Sequence, residues 1–522
     1  MTIHRIKRSP TQRPTSRISR LLAAAVLAAV CGETSAQDQF APLGPGLPAS
    51  NDNGLSTVLG DIDGDGDLDL VVGTKGYLIG AQNRLYLNNG NGGFVDVTAS
   101  HLPSTLDRSS ALALGDVDGD GDLDLVVGNG DYGAGSQNRL YLNNGNGVFT
   151  DVTASHMPIA IDSTDSVALG DVDGDGDQDL VVGNWGQNRL YLNSGGTFSD
   201  ATATNLPIDT DYTDSVALGD VDGDGDLDLV LAASFDYYYT YGQNRLYLND
   251  GSGSFSDVTA SHMPVDSDYT TTVALGDVDS DGDLDLVCGN SYDHQDRLYL
   301  NDGAGGYTDV SATAMPALGF PTSSLALGDV DGDGDLDIMT ATEAFQTPIC
   351  NWDRLLINDG SGGFTWTARL PPIHRCSTAV ALGDVDGDGD LDAVWGIWGS
   401  GAELYLNLQR QLHAPIAPQI GQPYSLDAYM RYGTSSVANF SVTYLSTAPS
   451  SIASMFGTIG LDLAQAVPFP TLIVPQPSGV GSVGFTVPNA PSLVGQAIYS
   501  QAMLIAYPND LRLSNVVRDV IQ

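Results

Sequence analysis

Asp116, Asp118, Asp120, Asp122 and Asp124 place five carboxylates within nine residues, in the pattern D-x-D-x-D-G-D-x-D. Carboxylates this close repel one another unless a cation lies among them. Side-chain oxygens at positions 1, 3, 5 and 9, a backbone carbonyl at position 7 and a glycine at position 6 for the sharp turn are hard ligands suited to calcium. The pattern occurs seven times. The other copies hold Asp61, Asp63, Asp65, Asp67 and Asp69; Asp171, Asp173, Asp175, Asp177 and Asp179; and Asp220, Asp222, Asp224, Asp226 and Asp228. They continue with Asp277, Asp279, Asp281, Asp283 and Asp285; Asp329, Asp331, Asp333, Asp335 and Asp337; and Asp384, Asp386, Asp388, Asp390 and Asp392. One acidic loop is easily read as a solvated surface turn. Seven in register predict about seven structural Ca²⁺ ions.

The elements around each loop are strands. A calcium loop between helices needs a bidentate Glu at position 12, and that position is Val127 here. The flanks alternate and are rich in Val and Leu. In one copy, Ser110 to Leu114 reads as a first strand, Leu123 to Gly128 as a second, Asn138 to Asn143 as a third and Phe149 to Thr153 as a fourth. Loop starts are 55, 55, 49, 57, 52 and 55 residues apart. Four short strands per unit, repeated seven times, predict an all-β fold: a seven-bladed β-propeller. The seventh unit lacks a fourth strand after Asn407. Phe40 to Pro48 echoes the fourth-strand region Phe94 to Pro103, so the N-terminal segment is expected to complete the last blade and remove its open edge.

These repeats resemble the FG-GAP or VCBS family, the calcium-bearing repeats of integrin-α propellers and of many secreted bacterial proteins. The resemblance covers about 40–407 and rests on the acidic loop with its following Leu-Val-Val-Gly. It implies a calcium-bearing propeller, extracellular placement and a role in binding or adhesion.

The remaining chain divides by composition. Residues 1–36 read as an export signal: Arg5, Lys7, Arg8, Arg13, Arg17 and Arg20 precede the apolar run Leu21 to Cys31, and Thr34-Ser35-Ala36 offers a cleavage site. A lipoprotein would use Cys31, but Val30 before it is large for that signal. Residues 37–407 form the propeller, 408–418 a linker, and 419–522 a small C-terminal β-sandwich. Its strands are expected at Tyr424 to Met430, Asn439 to Leu445, Thr471 to Val474, Val483 to Val487 and Leu511 to Ile521. Pro488 to Gly495 resembles part of a C-terminal module of secreted bacterial repeat proteins.

The chain has 65 acidic and 20 basic residues, and 35 of the acids lie in the seven loops. This balance argues against nucleic acid and anionic membranes as partners. No segment after the leader is long and apolar enough for a transmembrane helix.

Antiparallel topology puts the calcium loops and the tight Asn-Gly turns on one face of the ring. Loops that vary in length fall on the other, where binding usually resides. Trp185, Tyr237, Tyr238, Tyr239, Tyr241, Tyr292, Trp352 and Trp398 lie in those variable loops and are the candidate ligand residues for glycan or extracellular protein. Cys350 and Cys376 fall in adjacent loops of that face, so a disulfide is expected; Cys288 replaces a core valine and reads as a buried thiol.

Motifs for serine hydrolases, zinc proteases and nucleotide binding are absent. His101, His156 and His262 recur in Ala-Ser-His-Leu/Met-Pro, and recurrence favours a structural role. Arg84, Arg139, Arg189, Arg245, Arg297 and Arg354 recur on third strands and are expected to pair with nearby Asp; the seventh copy has Glu403. The reading is a non-catalytic binding or adhesion module. A polysaccharide lyase or hydrolase on the same face, and a structural matrix protein, remain open.

Overall fold

The structure, a computed structural model, describes residues 40–42, most of 47–407 and the strands between 412 and 520; residues 1–39 and shorter stretches, including 76–79, 131–134, 236–241, 292–293, 343–352, 371–375 and 388–389, lie outside the described set. Seven four-stranded antiparallel sheets follow one another along the chain and form a seven-bladed β-propeller. Blade 2 shows the plan: Ser109–Gly115, Asp124–Asn129, Arg139–Leu142 and Thr150–Asp151, each paired with the next.

The apolar tail after each acidic loop becomes the second strand. It is buried along its whole length in Asp69–Thr74, Asp124–Asn129, Asp179–Asn184 and Asp285–Asn290. A strand covered on both faces by neighbouring blades needs apolar residues throughout, which explains the lack of alternation. The core lies between blades: Val117, Val126 and Leu140 of blade 2 pack with Leu180, Val182 and Tyr191 of blade 3. Near the axis a glycine closes each first strand. A Cβ on Gly60 would sit 2.8 Å from Leu123 Cδ1 and 2.9 Å from Leu114 Cδ1 of the next blade, so only glycine permits this approach.

The ring closes as expected. Phe40–Pro42 pairs antiparallel with Gly401–Asn407 and supplies the outer strand of blade 7. Phe40 is buried and meets Trp395 edge-on at 6.4 Å. Thr378 Oγ1 donates to Gly54 O, joining the first strands of blades 7 and 1.

The fourth strand differs from expectation. Instead of Phe149 to Thr153 it spans Thr150–Asp151, and Thr153–His156 forms one helical turn. Asp151 Oδ1 accepts the Thr153 N–H at 3.0 Å, and Thr153 Oγ1 accepts the Leu140 N–H at 3.0 Å. Side-chain oxygens thus replace the next ladder bonds and turn the chain. The same turn recurs at Thr98–His101, Thr202–Asn205, Thr259–His262 and Ser311–Ala314. The repeated histidines belong to it: Ser100 Oγ, Ser155 Oγ and Ser261 Oγ lie 2.7, 2.7 and 2.8 Å from the adjacent His Nδ1.

Beyond the propeller, Pro423–Tyr429 pairs with Val480–Thr486 and with Leu412–His413, a short strand within the expected linker. Asn439–Ser446 pairs with Ala497–Ala506 and with Leu472–Val474. The expected strand over 511–521 is two, Asp510–Leu513 and Val517–Val520. Four strands were not anticipated: Pro449–Ser454, Gly457–Leu461, Val467–Pro468 and Ala497–Ala506. Among the described residues no helix is long and apolar enough to cross a membrane.

Candidate metal centre

Each acidic loop joins the first and second strands of its blade. The backbone supplies the turn: Gly119 and Gly121 have φ of 76° and 95°. Asp116 Oδ2 accepts the Gly121 N–H at 3.1 Å, folding the loop back on its first carboxylate. The fifth loop carries Ser280 where the others have glycine, at φ 65°. An L-residue in this region costs about 1–2 kcal/mol. Replacing Ser280 with glycine is therefore expected to stabilise the protein by roughly 0.5–1 kcal/mol, after the larger unfolded-state entropy of glycine is counted. Chemical denaturation of the two proteins checks this; an unchanged or lower midpoint would contradict it.

The five carboxylates of a loop do not play equal parts. Those at positions 1, 3 and 9 converge, with one oxygen from each within 4.8 Å of the others: Asp61, Asp63 and Asp69; Asp116, Asp118 and Asp124; and the corresponding residues of the third, fourth and fifth loops. Two more groups bring the total among the described residues to seven. Positions 5 and 7 lie outside the five named groups. Asp65 and Asp120 are exposed. Position 7 turns toward the glycine turn of its own blade, so that a Cβ on Gly90 would come 2.5 Å from Asp67 Oδ2. Acidic loops and glycine turns therefore share a face. Asp388 lies outside the described residues.

The ninth-position aspartate is the anchor. Asp124 is 1% exposed. Its Oδ2 accepts the Val117 N–H at 3.0 Å and its Oδ1 accepts the Asn143 N–H at 2.8 Å. Burial pushes the carboxyls of Asp69, Asp124, Asp179, Asp228 and Asp285 up to about 6, and that of Asp337 to about 7. The two backbone N–H bonds that each of these carboxylates accepts offset only part of that burial cost. Asp61 Oδ1, Asp63 Oδ1 and Asp116 Oδ1 are buried acceptors without a hydrogen-bond partner. Oxygen-only donors, orphaned acceptors and a buried carboxylate only partly offset by two N–H bonds fit a hard divalent cation, so the acidic cluster of each blade could hold a metal ion.

The loops are also linked in a circle. Asn143 Nδ2 donates to Leu123 O in its own blade and, at 2.8 Å, to Ile62 O in the loop of blade 1. Asn193, Asn249, Asn301, Asn358 and Asn407 each reach back at 2.7–2.8 Å to the preceding loop, through Val117, Val172, Val221, Val278 and Val330. Asn88 closes the circle on Val385 O at 2.8 Å. The only sequence signal for this ring is the repeated Asn after Leu-Tyr-Leu, or after Leu-Leu-Ile in blade 6.

The arginines pair as expected. Arg139 bridges Asp107 at 2.9 Å and Asp151 at 3.5 Å, and Arg84, Arg189, Arg245 and Arg297 repeat the arrangement. Arg354 instead reaches Asp296 of the preceding blade at 3.1 Å.

Of the candidate ligand residues, Trp185 stacks on Tyr212 at 4.9 Å and 15°. Trp398 is 42% exposed, and its backbone N–H donates to Cys376 O. Tyr237, Tyr238, Tyr239, Tyr241, Tyr292, Trp352 and Cys350 lie outside the described residues. Cys376 is disulfide-bonded, and Cys288 is a buried free thiol.

The motif does not point to two further carboxylates, Asp165 and Asp214, in the first strands of blades 3 and 4. The aligned residue elsewhere is often a hydroxyl. Ser323 Oγ, for instance, donates to Ala341 O and to Ser377 O of the next blade, at 3.0 and 2.9 Å. An ionised carboxylate has no proton to give. Asp214 accepts from Ser234 Oγ at 2.9 Å, while Asp165 Oδ2 is buried without a hydrogen-bond partner. Burial raises the Asp165 carboxyl to about 7, with Lys75 acting in the opposite sense. A carboxyl raised on folding binds more protons in the native than in the unfolded state, so its penalty develops as pH rises from about 4 to about 7. Asp165→Ser is expected to raise the melting temperature by a few degrees at pH 8, with the gain shrinking toward pH 5. Calorimetry at the two pH values checks the sign.

FG-GAP-like repeats match at residues 61–127, 116–182, 171–231, 230–288 and 277–340. The chain is 31% identical over 169 residues to cartilage acidic protein 1 of Mus musculus, covering 29% of this chain and 25% of that protein. For the Homo sapiens protein the figures are 30% over 168 residues, 29% and 24%. The chain thus spans about a quarter of the length of these curated relatives. Together with the repeated loop and the closed ring of blades, these matches show that the chain belongs to the FG-GAP-like repeat family.

Proposed function

We propose that this chain is an exported, calcium-stabilised propeller acting as a non-catalytic binding or adhesion module for a glycan or extracellular protein. The observation that carries this reading is the repetition of one three-carboxylate cluster around one face. Identical sites in a hydrogen-bonded ring suit a structural cation, whereas a catalytic centre is normally unique. Calcium is favoured over magnesium because the ligands sit in a loop of mixed carboxylate and carbonyl oxygens. Extracellular placement is supported by the likeness to cartilage acidic protein 1 and by the reading of 1–36 as an export signal.

Residues 37–407 are the propeller unit and 419–522 a separate β-sandwich, joined through 408–418. Cys350 is the proposed partner of Cys376 and would brace two loops of the ligand face; one linked peptide in a nonreducing digest tests it.

The ligand site is assigned to the face opposite the acidic loops, including Trp185, Trp398 and the cluster Tyr237, Tyr238, Tyr239 and Tyr241. The test is a glycan and extracellular-protein array probed with mature protein in millimolar calcium and again in EGTA. Calcium-dependent binding lost when the four tyrosines become alanine, in a protein with unchanged melting, is the expected result. Binding to nothing on either array would overturn the reading.

A further inference from the structure

Nine large hydrophobic side chains stand exposed among the described residues, and six of them fall in five consecutive connections between blades: Leu106, Ile159, Ile161, Ile208, Val265 and Phe320. These connections run from the fourth strand of one blade to the first strand of the next, on the face opposite the acidic loops. Ile159, Ile208 and Val265 hold the same place on three successive blades, directly after Pro158, Pro207 and Pro264. They are 91%, 94% and 94% exposed, whereas the residue before each proline, Met157, Leu206 and Met263, is buried.

The display is built by hydrogen bonds. Gln137 Nε2 donates to Pro158 O at 3.1 Å while its Oε1 accepts the Ala160 N–H at 3.0 Å, so one side-chain amide holds the backbone on both sides of Ile159. Gln243 does the same around Val265, through Pro264 O at 3.0 Å and the Asp266 N–H at 2.9 Å. Gln187 Nε2 reaches Pro207 O at 3.2 Å beside Ile208. A pinned backbone cannot turn these side chains inward. The fold does not demand them either, since the same place after Pro103 is Ser104 and after Pro316 is Ala317. Aliphatic groups scattered singly over a surface need no explanation; a register repeated over neighbouring blades does.

We propose that this arc docks a protein partner whose contact surface is apolar with a basic rim. The proposal rests on the ligand-face reading above and narrows it. Branched aliphatic side chains offer no aromatic face or polar group to a sugar ring, but they do fit the apolar centre of a protein interface. The partner's charge follows from complementarity. Outside the seven acidic loops, which lie on the other face, the chain still holds 30 acidic against 20 basic residues, and Arg139, Arg189, Arg245 and Arg297 along this sector are already held by aspartates. Such a field attracts cationic surfaces and repels a second copy of the chain.

The test pans a phage-displayed random-peptide library on the calcium-loaded full chain, with the triple variant Ile159→Ser, Ile208→Ser, Val265→Ser as counter-target. All three sites are exposed, so the variant should melt with wild type. Enriched peptides are expected to combine apolar residues with Lys or Arg. Their affinity is expected to fall by about tenfold or more in the variant, and also on raising NaCl from about 0.1 to about 0.5 M. Peptides that bind both proteins equally would overturn the arc while leaving the ligand face to the tyrosine variant. Salt-insensitive or acidic peptides, or no enrichment, would overturn the stated chemistry. Glycan binding lost in the variant would reassign the arc to sugar, and self-association lost in the variant would reassign it to a second copy.

Discussion

Chelation of calcium is expected to lower the melting temperature of the mature protein by about 10–20 °C. Extracellular calcium sites have Kd values of about 0.1–1 mM. At about 1 mM free ion, a Kd of about 0.1 mM stabilises by roughly 1.4 kcal/mol per site, so seven sites contribute on the order of 10 kcal/mol, as much as the net stability of a typical domain. The clusters that would hold the ions are joined by the asparagine circle, from Asn143 on Ile62 O to Asn88 on Val385 O. Loosening one loop therefore removes a partner from the next blade.

The effect should depend on pH. The ninth-position carboxyls are raised to about 6 without the ion. The ion-free native state thus holds protons that the unfolded chain releases above about 4, and its stability falls as pH rises through that window. The ion-bound carboxylate stays ionised. The gap between calcium and EGTA melts should accordingly widen from pH 5 to pH 7. Calorimetry in calcium, magnesium and EGTA decides this: a transition indifferent to chelation at pH 7 would remove the cation from the account of the ring.

The second large effect is a contrast within one loop. Asp124→Ala is expected to destabilise by about 3–5 kcal/mol. It leaves two buried N–H groups, those of Val117 and Asn143, without their acceptors, at about 1–3 kcal/mol each, and deletes a converging carboxylate. Asp120→Ala should cost no more than about 0.5–1 kcal/mol, because that side chain is exposed, lies outside the converging three and accepts the Asp122 N–H. Denaturant midpoints at fixed calcium measure both. Equal losses at the two positions would show that the loop depends on its carboxylate count, with no special part for the anchored one.

That contrast marks the limit of the motif as a guide. D-x-D-x-D-G-D-x-D announces the loop, its turn and its strand flanks, because each follows from residues within nine positions of one another. Repetition of the loop then fixes the blade count, and the unpaired third strand of the last unit points to Phe40 as the clasp. A repeat whose strands must be covered on both sides has few ways to close, so this much could be read from one chain.

What no local pattern could supply is which atoms another blade brings near. Asp120 and Asp124 are the same residue type four positions apart, yet one is exposed and the other sealed under the strands of its own blade. Asn143 ends a third strand in sequence, and nothing near it shows that Ile62 O, 81 residues away, takes its amide. Asp165 stands where four other blades use a hydroxyl, and burial in the folded ring makes that a penalty. Ile159 stands in water because Gln137 holds the backbone on either side. Sequence determined the repeat, the strands and the acidic loops, since short-range sterics and apolar runs specify them. Tertiary structure alone decided which carboxylates converge, which are buried and which apolar residues remain exposed, since burial is a property of neighbours that meet only when the ring closes.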